Sequence, residues 1–245
     1  MEHTQEKLLK FWLEQEPVFK QIQTKGWSEY LSSLKLTGVF ELKDKKLRCI
    51  DEGTVGGIHL AGSGILNKSA AVEIVKQAGV TGIYSHAGCG AAGLYAQSQK
   101  GLDISRADEY GIDWAKELAQ ASDLPYEGHI ELSEMARPPE FHIARVAYYD
   151  GTGKFDPSQI EGLPPGFVIS RKFLTPDYAK QEADIATKIA LGDHGFGKII
   201  TPESPFYLVA IGGEQKSTSL ETLKQELDEI ASQQQGRVTV SGFLA

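Results

Sequence analysis

Cys49 and Cys89 are the only cysteines in 245 residues, and His86 stands three positions before the second of them. Two thiolates and an imidazole are three ligands that Zn²⁺ favours, and a chain supplying only three leaves the fourth position to water or substrate. These residues point to a catalytic site with one zinc per chain, held by Cys49, His86 and Cys89. The same residues admit three plainer readings: buried inert thiols, a structural zinc closed by Asp51 as fourth ligand, or a redox disulfide. The last lacks the C-x-x-C spacing that tunes such pairs.

The elements around these residues bring them to one edge. Lys46 to Asp51 reads as a short strand whose alternation turns Cys49 and Asp51 to one face. Gly56 to Leu66, GGIHLAGSGIL, reads as a second strand ending in a tight turn. Ser69 to Ala78 is a helix stopped by Gly79, and Val80 to Ser85 is an apolar strand running into His86. Strand, helix, strand with short connections predicts a right-handed crossover and a parallel sheet, with ligands bound at the carboxyl ends of the strands. Gly88, Gly90 and Gly93 spell G-x-G-x-x-G at a helix start, but no second strand with an acidic end follows at the distance a dinucleotide site requires. Close packing of small residues explains these glycines instead.

Ahead of this region, residues 1–45 read as an N-terminal helical arm. It comprises two short helices broken at Pro17, then a turn and an edge strand over Ser33 to Leu42. The aromatic residues of the arm are packing or dimer-contact groups. After it come helices over Gly90 to Gln97 and Ser105 to Ala121, a strand over Phe141 to Tyr149, and a boundary at the Pro-containing run Gly162 to Gly166. Beyond lie a strand at Phe167 to Phe173, a helix at Pro176 to Leu191, a strand at Phe206 to Ile211, a helix at Ser219 to Ser232 and a strand at Arg237 to Phe243. The fold class is α/β: a central, mostly parallel sheet flanked by helices, with residues 46–160 as the zinc domain and 161–245 as a C-terminal α/β extension. No internal repeat is visible.

Composition narrows the partners. With 41% hydrophobic and 24% charged residues and a net charge of −8, the chain is neither disordered nor suited to nucleic acid or an anionic membrane. No stretch approaches the roughly 20 apolar residues of a membrane span, and Met1 to Lys10 lacks a signal-peptide core. A cytoplasmic protein with a small-molecule substrate is expected.

The HxxCG at His86 to Gly90, preceded by an apolar strand, together with C-x-D at Cys49 to Asp51, resembles the β-class carbonic anhydrases. HLAGSG at His59 to Gly64 and VAYYDGTGKF at Val146 to Phe155 are weaker echoes of the same family. The resemblance covers roughly Lys46 to Phe155. It implies a Cys-His-Cys zinc site, reversible hydration of CO₂ to bicarbonate by a zinc-bound hydroxide, and Asp51 as the catalytic carboxylate that orients or replaces the zinc-bound water. It also fits a homodimer or higher homo-oligomer. Where the family places an Arg to pair with that Asp, this chain has Gly53; Arg48 points to the opposite strand face, which leaves Arg106, Arg137 or Arg145 to come from elsewhere in the fold. His59 is a candidate proton carrier. Hydrolysis of carbon disulfide or carbonyl sulfide at the same site, and a zinc-binding relative without turnover acting as sensor or scaffold, are the alternative functions.

Overall fold

The computed structural model describes residues 2–34, 36 and 38–245. The chain opens with α1 (Glu2–Lys25) and α2 (Trp27–Ser32). Pro17 lies inside α1, so the expected break is not there. The chain turns at Gly26 instead, whose φ of 81° is a conformation only glycine adopts at little cost. Among the described residues of 33–42 there are turns in place of the expected edge strand; positions 35 and 37 lie outside the described residues.

Two four-stranded parallel sheets follow, an α/β architecture of parallel sheets flanked by helices as the strand–helix–strand pattern predicts. The first is built from β1 (Lys46–Arg48), β2 (Ile58–His59), β3 (Gly82–His86) and β4 (Tyr126–Ile130). Its crossovers carry α3 (Lys68–Ala78), then α4 (Gly90–Ser98) and α5 (Ala107–Ala121). The second is built from β5 (Val146–Asp150), β6 (Phe167–Ile169), β7 (Phe206–Gly212) and β8 (Val238–Leu244), with α6 (Pro176–Leu191) and α7 (Leu220–Ala231) in its crossovers. β5, inside the range expected for the zinc domain, is an inner strand of the second sheet, so the sheets divide between residues 130 and 146.

The strand orders are β2-β1-β3-β4 and β6-β5-β7-β8. Numbered within its own half, each sheet therefore runs 2-1-3-4, with a loop between its first two strands and helices in the other two crossovers. This recurrence is a repeat of topology that the amino-acid pattern does not display. The registers align Leu47 with Ala147, because Leu47 pairs with Ile58 and Ile83 just as Ala147 pairs with Phe167 and Leu208. Counting forward along each strand, Cys49 corresponds to Tyr149, His86 to Ile211 and Cys89 to Glu214.

The two halves share one core. Val168 N–H donates to the Ile50 carbonyl (3.1 Å) and Ser170 N–H to the His59 carbonyl (3.2 Å), joining the ends of β1 and β2 to β6. One apolar cluster includes Leu47, Ile58 and Ile83 of the first sheet and Ala147, Phe167 and Leu208 of the second. The N-terminal helices pack Phe19, Ile22, Trp27 and Leu31 against Tyr148, Val209 and Phe243 of the second sheet. The earliest residues thus cover the latest strands, which closes the chain on itself. Among the described residues, no helix is long and apolar enough to cross a membrane.

Candidate metal centre

β1 ends at Arg48, one residue before Cys49, and β3 ends on His86. The expected edge is the one observed: both strands run parallel and deliver these residues at their carboxyl ends. The loop after β2 reaches the same point by an unusual backbone. Gly62, Ser63 and Gly64 all have positive φ, and a Cβ on Gly62 would lie 3.0 Å from the Ala91 side chain and 3.4 Å from Cys89 Sγ. Only glycine lets this loop approach so closely, and from there Gly62 N–H donates to Cys49 Sγ at 3.2 Å.

Cys49, His86 and Cys89 are all buried, with one ligand atom from each within 4.8 Å of the others. The two sulfurs are 4.0 Å apart, far beyond bonding distance, and both cysteines are free. His86 Nδ1 donates to the Ala87 carbonyl at 3.0 Å, while its buried Nε2 has no partner. A ring fixed through one nitrogen with the other turned into a pair of thiols is the arrangement of a metal-ligating histidine. These three residues fit a thiophilic cation such as Zn²⁺, leaving its fourth position to another group.

The charges of the site agree. Burial disfavours the imidazolium of His86, but the adjacent Cys49 and Asp51 outweigh it and raise its pKa to about 9. The hydrogen bond from Cys49 lowers the pKa of Cys89 against the effect of burial, helped by the Ala92 and Ala91 amides at the start of α4. Cys49 moves the other way, raised by its bond to Cys89 and by burial. The two thiols are therefore driven apart, with Cys89 the first of the pair to lose its proton.

Asp51 stands outside the compact metal set and belongs to a second group with Glu52 and His142. The missing cation is supplied from 86 residues away: Arg137 Nε donates to Asp51 Oδ1 (2.8 Å) and Nη2 to Oδ2 (2.9 Å). The Gly53 amide adds a bond to Oδ1 at 2.8 Å. Burial alone would favour the neutral acid, but the Arg137 hydrogen bonds and the charges around the carboxylate hold its pKa at about 2. Gly53 is what admits this arginine, since a Cβ there would come within 2.6 Å of Met135 Cε and 2.9 Å of Arg137 Cγ. The other basic residues are committed elsewhere: Arg48 to Asp44, Arg106 to Glu109 and Arg145 to Glu16.

Glu52 and His142 carry no motif, and sequence reasoning missed their pairing. The Glu52 carboxylate is fully buried; it accepts from the Ile143 amide and from His142 Nδ1, both at 2.9 Å. His142 lines a small inner pocket with Cys49, Asp51, Ile50, Phe167 and Ile189. It also lines an outer cavity of about 1200 Å³ together with Arg137. Phe167, Ile185 and Ile189 belong to the second half, so both halves wall the site. His59 donates from Nδ1 to the Cys49 carbonyl at 2.7 Å and is 2% exposed. Burial brings its pKa down to about 4, so it supports the backbone of Cys49 and stays neutral at pH 7.

The glycines after β3 do not serve close packing, as their spacing had suggested. A Cβ on Gly93 meets nothing within 4 Å, and one on Gly90 meets Ile189 at an ordinary 3.6 Å. Gly88 is required by its φ of 67°, which turns the chain between His86 and Cys89.

Two outcomes follow from this geometry. Arg137→Ala leaves a buried carboxylate unpaired and lowers unfolding free energy by about 3–5 kcal/mol in urea titrations. Gly53→Arg, which restores the arginine position of the C-x-D-x-R pattern, also destabilises by overpacking, by about 1–3 kcal/mol; adding Arg137→Gly recovers much of that loss, and a strictly additive double variant would contradict the assignment. Second, metal uptake must expel the His86 and Cys49 protons, so zinc affinity rises with pH, less steeply once His86 has titrated near 9 but still rising there because Cys49 is held above the ordinary thiol range. Calorimetry in buffers of different ionisation enthalpy reads this as net release of protons on zinc binding at pH 7; release of none would contradict it. No protein-family model matches this chain, and neither a curated protein nor a solved structure is significantly similar to it.

Proposed function

We propose that the chain is a zinc enzyme akin to the β-class carbonic anhydrases, catalysing reversible hydration of CO₂ to bicarbonate in the cytoplasm as a homodimer or larger homo-oligomer. The observation that carries the reading is the bidentate hold of Arg137 on Asp51 beside the Cys49, His86 and Cys89 set. When bound, zinc would acidify water to a pKa of about 7 and make a nucleophile available at neutral pH.

The residues do the rest. Cys49 and Cys89 temper the charge of the cation, and His86 completes the set through Nε2. Asp51 Oδ1 already accepts two bonds, whereas Oδ2 accepts one from Arg137. The remaining lone pair of Oδ2 can take a hydrogen from water and so fix where that oxygen's own lone pair points. To become a metal ligand instead, Asp51 would have to shift toward the Cys49, His86 and Cys89 set, from which it stands apart, and so pull against its bidentate pair with a buried guanidinium, which favours an open site over a capped one. The inner pocket offers CO₂ an apolar wall in Ile50, Phe167, Ile185 and Ile189. The same wall suits carbon disulfide or carbonyl sulfide, which are as linear and as apolar.

Hydration also releases a proton. His142 adjoins both the inner pocket and the outer cavity, and Glu52 holds its Nδ1. That leaves Nε2 to pass the proton outward, a role for which neutral His59 is unsuited.

The test is metal analysis with stopped-flow CO₂ hydration. One zinc per chain with measurable turnover is expected, with both lost in Cys89→Ser. Asp51→Asn should keep zinc and lose about 10²-fold in kcat. His142→Ala should lose kcat more than kcat/KM and recover with added imidazole buffer. Because Asp51 stays ionised down to about pH 2, it should contribute no limb to the pH profile above pH 4. Zinc without turnover on CO₂ or its sulfur analogues would leave a zinc-binding sensor or scaffold, and absence of metal would end both readings.

A further inference from the structure

Two spaces of very different size meet at the metal centre. The outer cavity, at about 1200 Å³, lies in the size range of sites for small organic molecules. The inner pocket beside Cys49 and Asp51 holds about 10 Å³, room for about one water. Gly90, His142, Ile185 and Ile189 line both spaces, so what moves from one to the other moves between them.

Ile185 and Ile189 stand one turn apart on the same face of α6. Opposite them is Gly90, the first residue of α4, where a Cβ would lie 3.6 Å from Ile189 Cδ1. A methyl group there would touch Ile189 without clashing, and so would just fill the gap. Isoleucine in a helix is held close to a single χ1 rotamer, which makes this a stiff edge. A linear triatomic molecule entering end-on presents the width of one oxygen atom. A carboxylate, an ester or a ring presents two or more atoms abreast.

We propose that Ile185 and Ile189, set against Gly90, are a size filter: they admit linear molecules such as CO₂ to the metal centre and keep out the wider organic molecules that the outer cavity can hold. The second half, which supplies none of the three metal-set residues, thereby sets what the first half can act on. As a filter for substrate this rests on the hydration reading; as a passage it stands on the geometry alone.

Cys49 and Cys89 are the only cysteines in the chain, and both are buried at this centre. Two neutral thiol reagents of different size therefore report the passage in the metal-free protein. The initial rates of methyl methanethiosulfonate and of 2,2′-dithiodipyridine are each divided by the rate on the urea-unfolded chain. In the parent the corrected rate of the small reagent should exceed that of the bulky one by about tenfold or more. Ile189→Ala should speed the bulky reagent by about tenfold and the small one by less than about threefold. Gly90→Ala, which removes no packing, should slow the small reagent by about threefold or more with no fall in Tm. Ile230→Ala, an equally buried isoleucine in α7, should leave the ratio of the two rates as in the parent.

Equal corrected rates in the parent, or a rise of both together in Ile189→Ala, would overturn the filter, as would a small-reagent rate that Gly90→Ala leaves unchanged. A ratio that Ile230→Ala shifts as far as Ile189→Ala would make lost stability the cause and also overturn it. CO₂ turnover, measured separately on the zinc-loaded protein, keeps the two readings apart. A responsive ratio without turnover defeats hydration and leaves the passage, and turnover with an unresponsive ratio does the reverse.

Discussion

A carboxylate buried to 5% exposure cannot stay ionised without a cation in contact with it, and the architecture around the metal centre follows from how Asp51 obtains one. The partner is Arg137, from the irregular segment between the two sheets. Its path is open because position 53 is glycine, and the Gly53 amide adds a further bond to the same oxygen. Glycine at 53 and arginine at 137 are two sides of one packing solution. The ion pair is therefore also a tie between the first half and the segment that leads into the second.

The second half is a wall of the site as much as a companion to it. Phe167, Ile185 and Ile189 bound the inner pocket, and His142 precedes β5. Yet the positions that register with the metal set are Tyr149, Ile211 and Glu214. At Tyr149 the repeat has a different interior: its hydroxyl donates to Glu226 at 2.6 Å, and Arg171 binds the same carboxylate through Nε and Nη2. One half presents soft ligands where the other presents a neutral-to-ionic hydrogen-bond cluster. That asymmetry favours one metal per chain in spite of two like topologies.

Much of the first half was legible because its signals are local. The apolar run into His86, the helix stopped by Gly79 and the H-x-x-C spacing of His86 and Cys89 adjoin one another in sequence, and β1 and β3 stand within a few residues of where they are expected, whereas the strand expected over Gly56 to Leu66 is only Ile58–His59. β4 escaped notice because YEGHI is only half-buried and carries no apolar alternation. Pro17 misled because tertiary packing of Trp12, Phe19 and Ile22 carries α1 through the missing hydrogen bond. Arg137 sits in a segment without periodicity, His142 in a stretch that reads as the start of a strand although β5 begins only at Val146, and their partners are about 90 residues away in sequence. The one hint was negative, a glycine where the resemblance called for an arginine. The recurrence of strand order was hidden for a similar reason: backbone topology persists while the side chains that would reveal it differ.

Whether Asp51 orients water or caps the metal is the point on which the account turns. Zinc K-edge X-ray absorption on the loaded protein, compared with Asp51→Asn, decides it. Two sulfurs at about 2.3 Å, one nitrogen at about 2.0–2.1 Å and a fourth light scatterer unchanged by the substitution are expected. A fourth scatterer that shifts or vanishes in Asp51→Asn would make Asp51 a ligand and contradict the account.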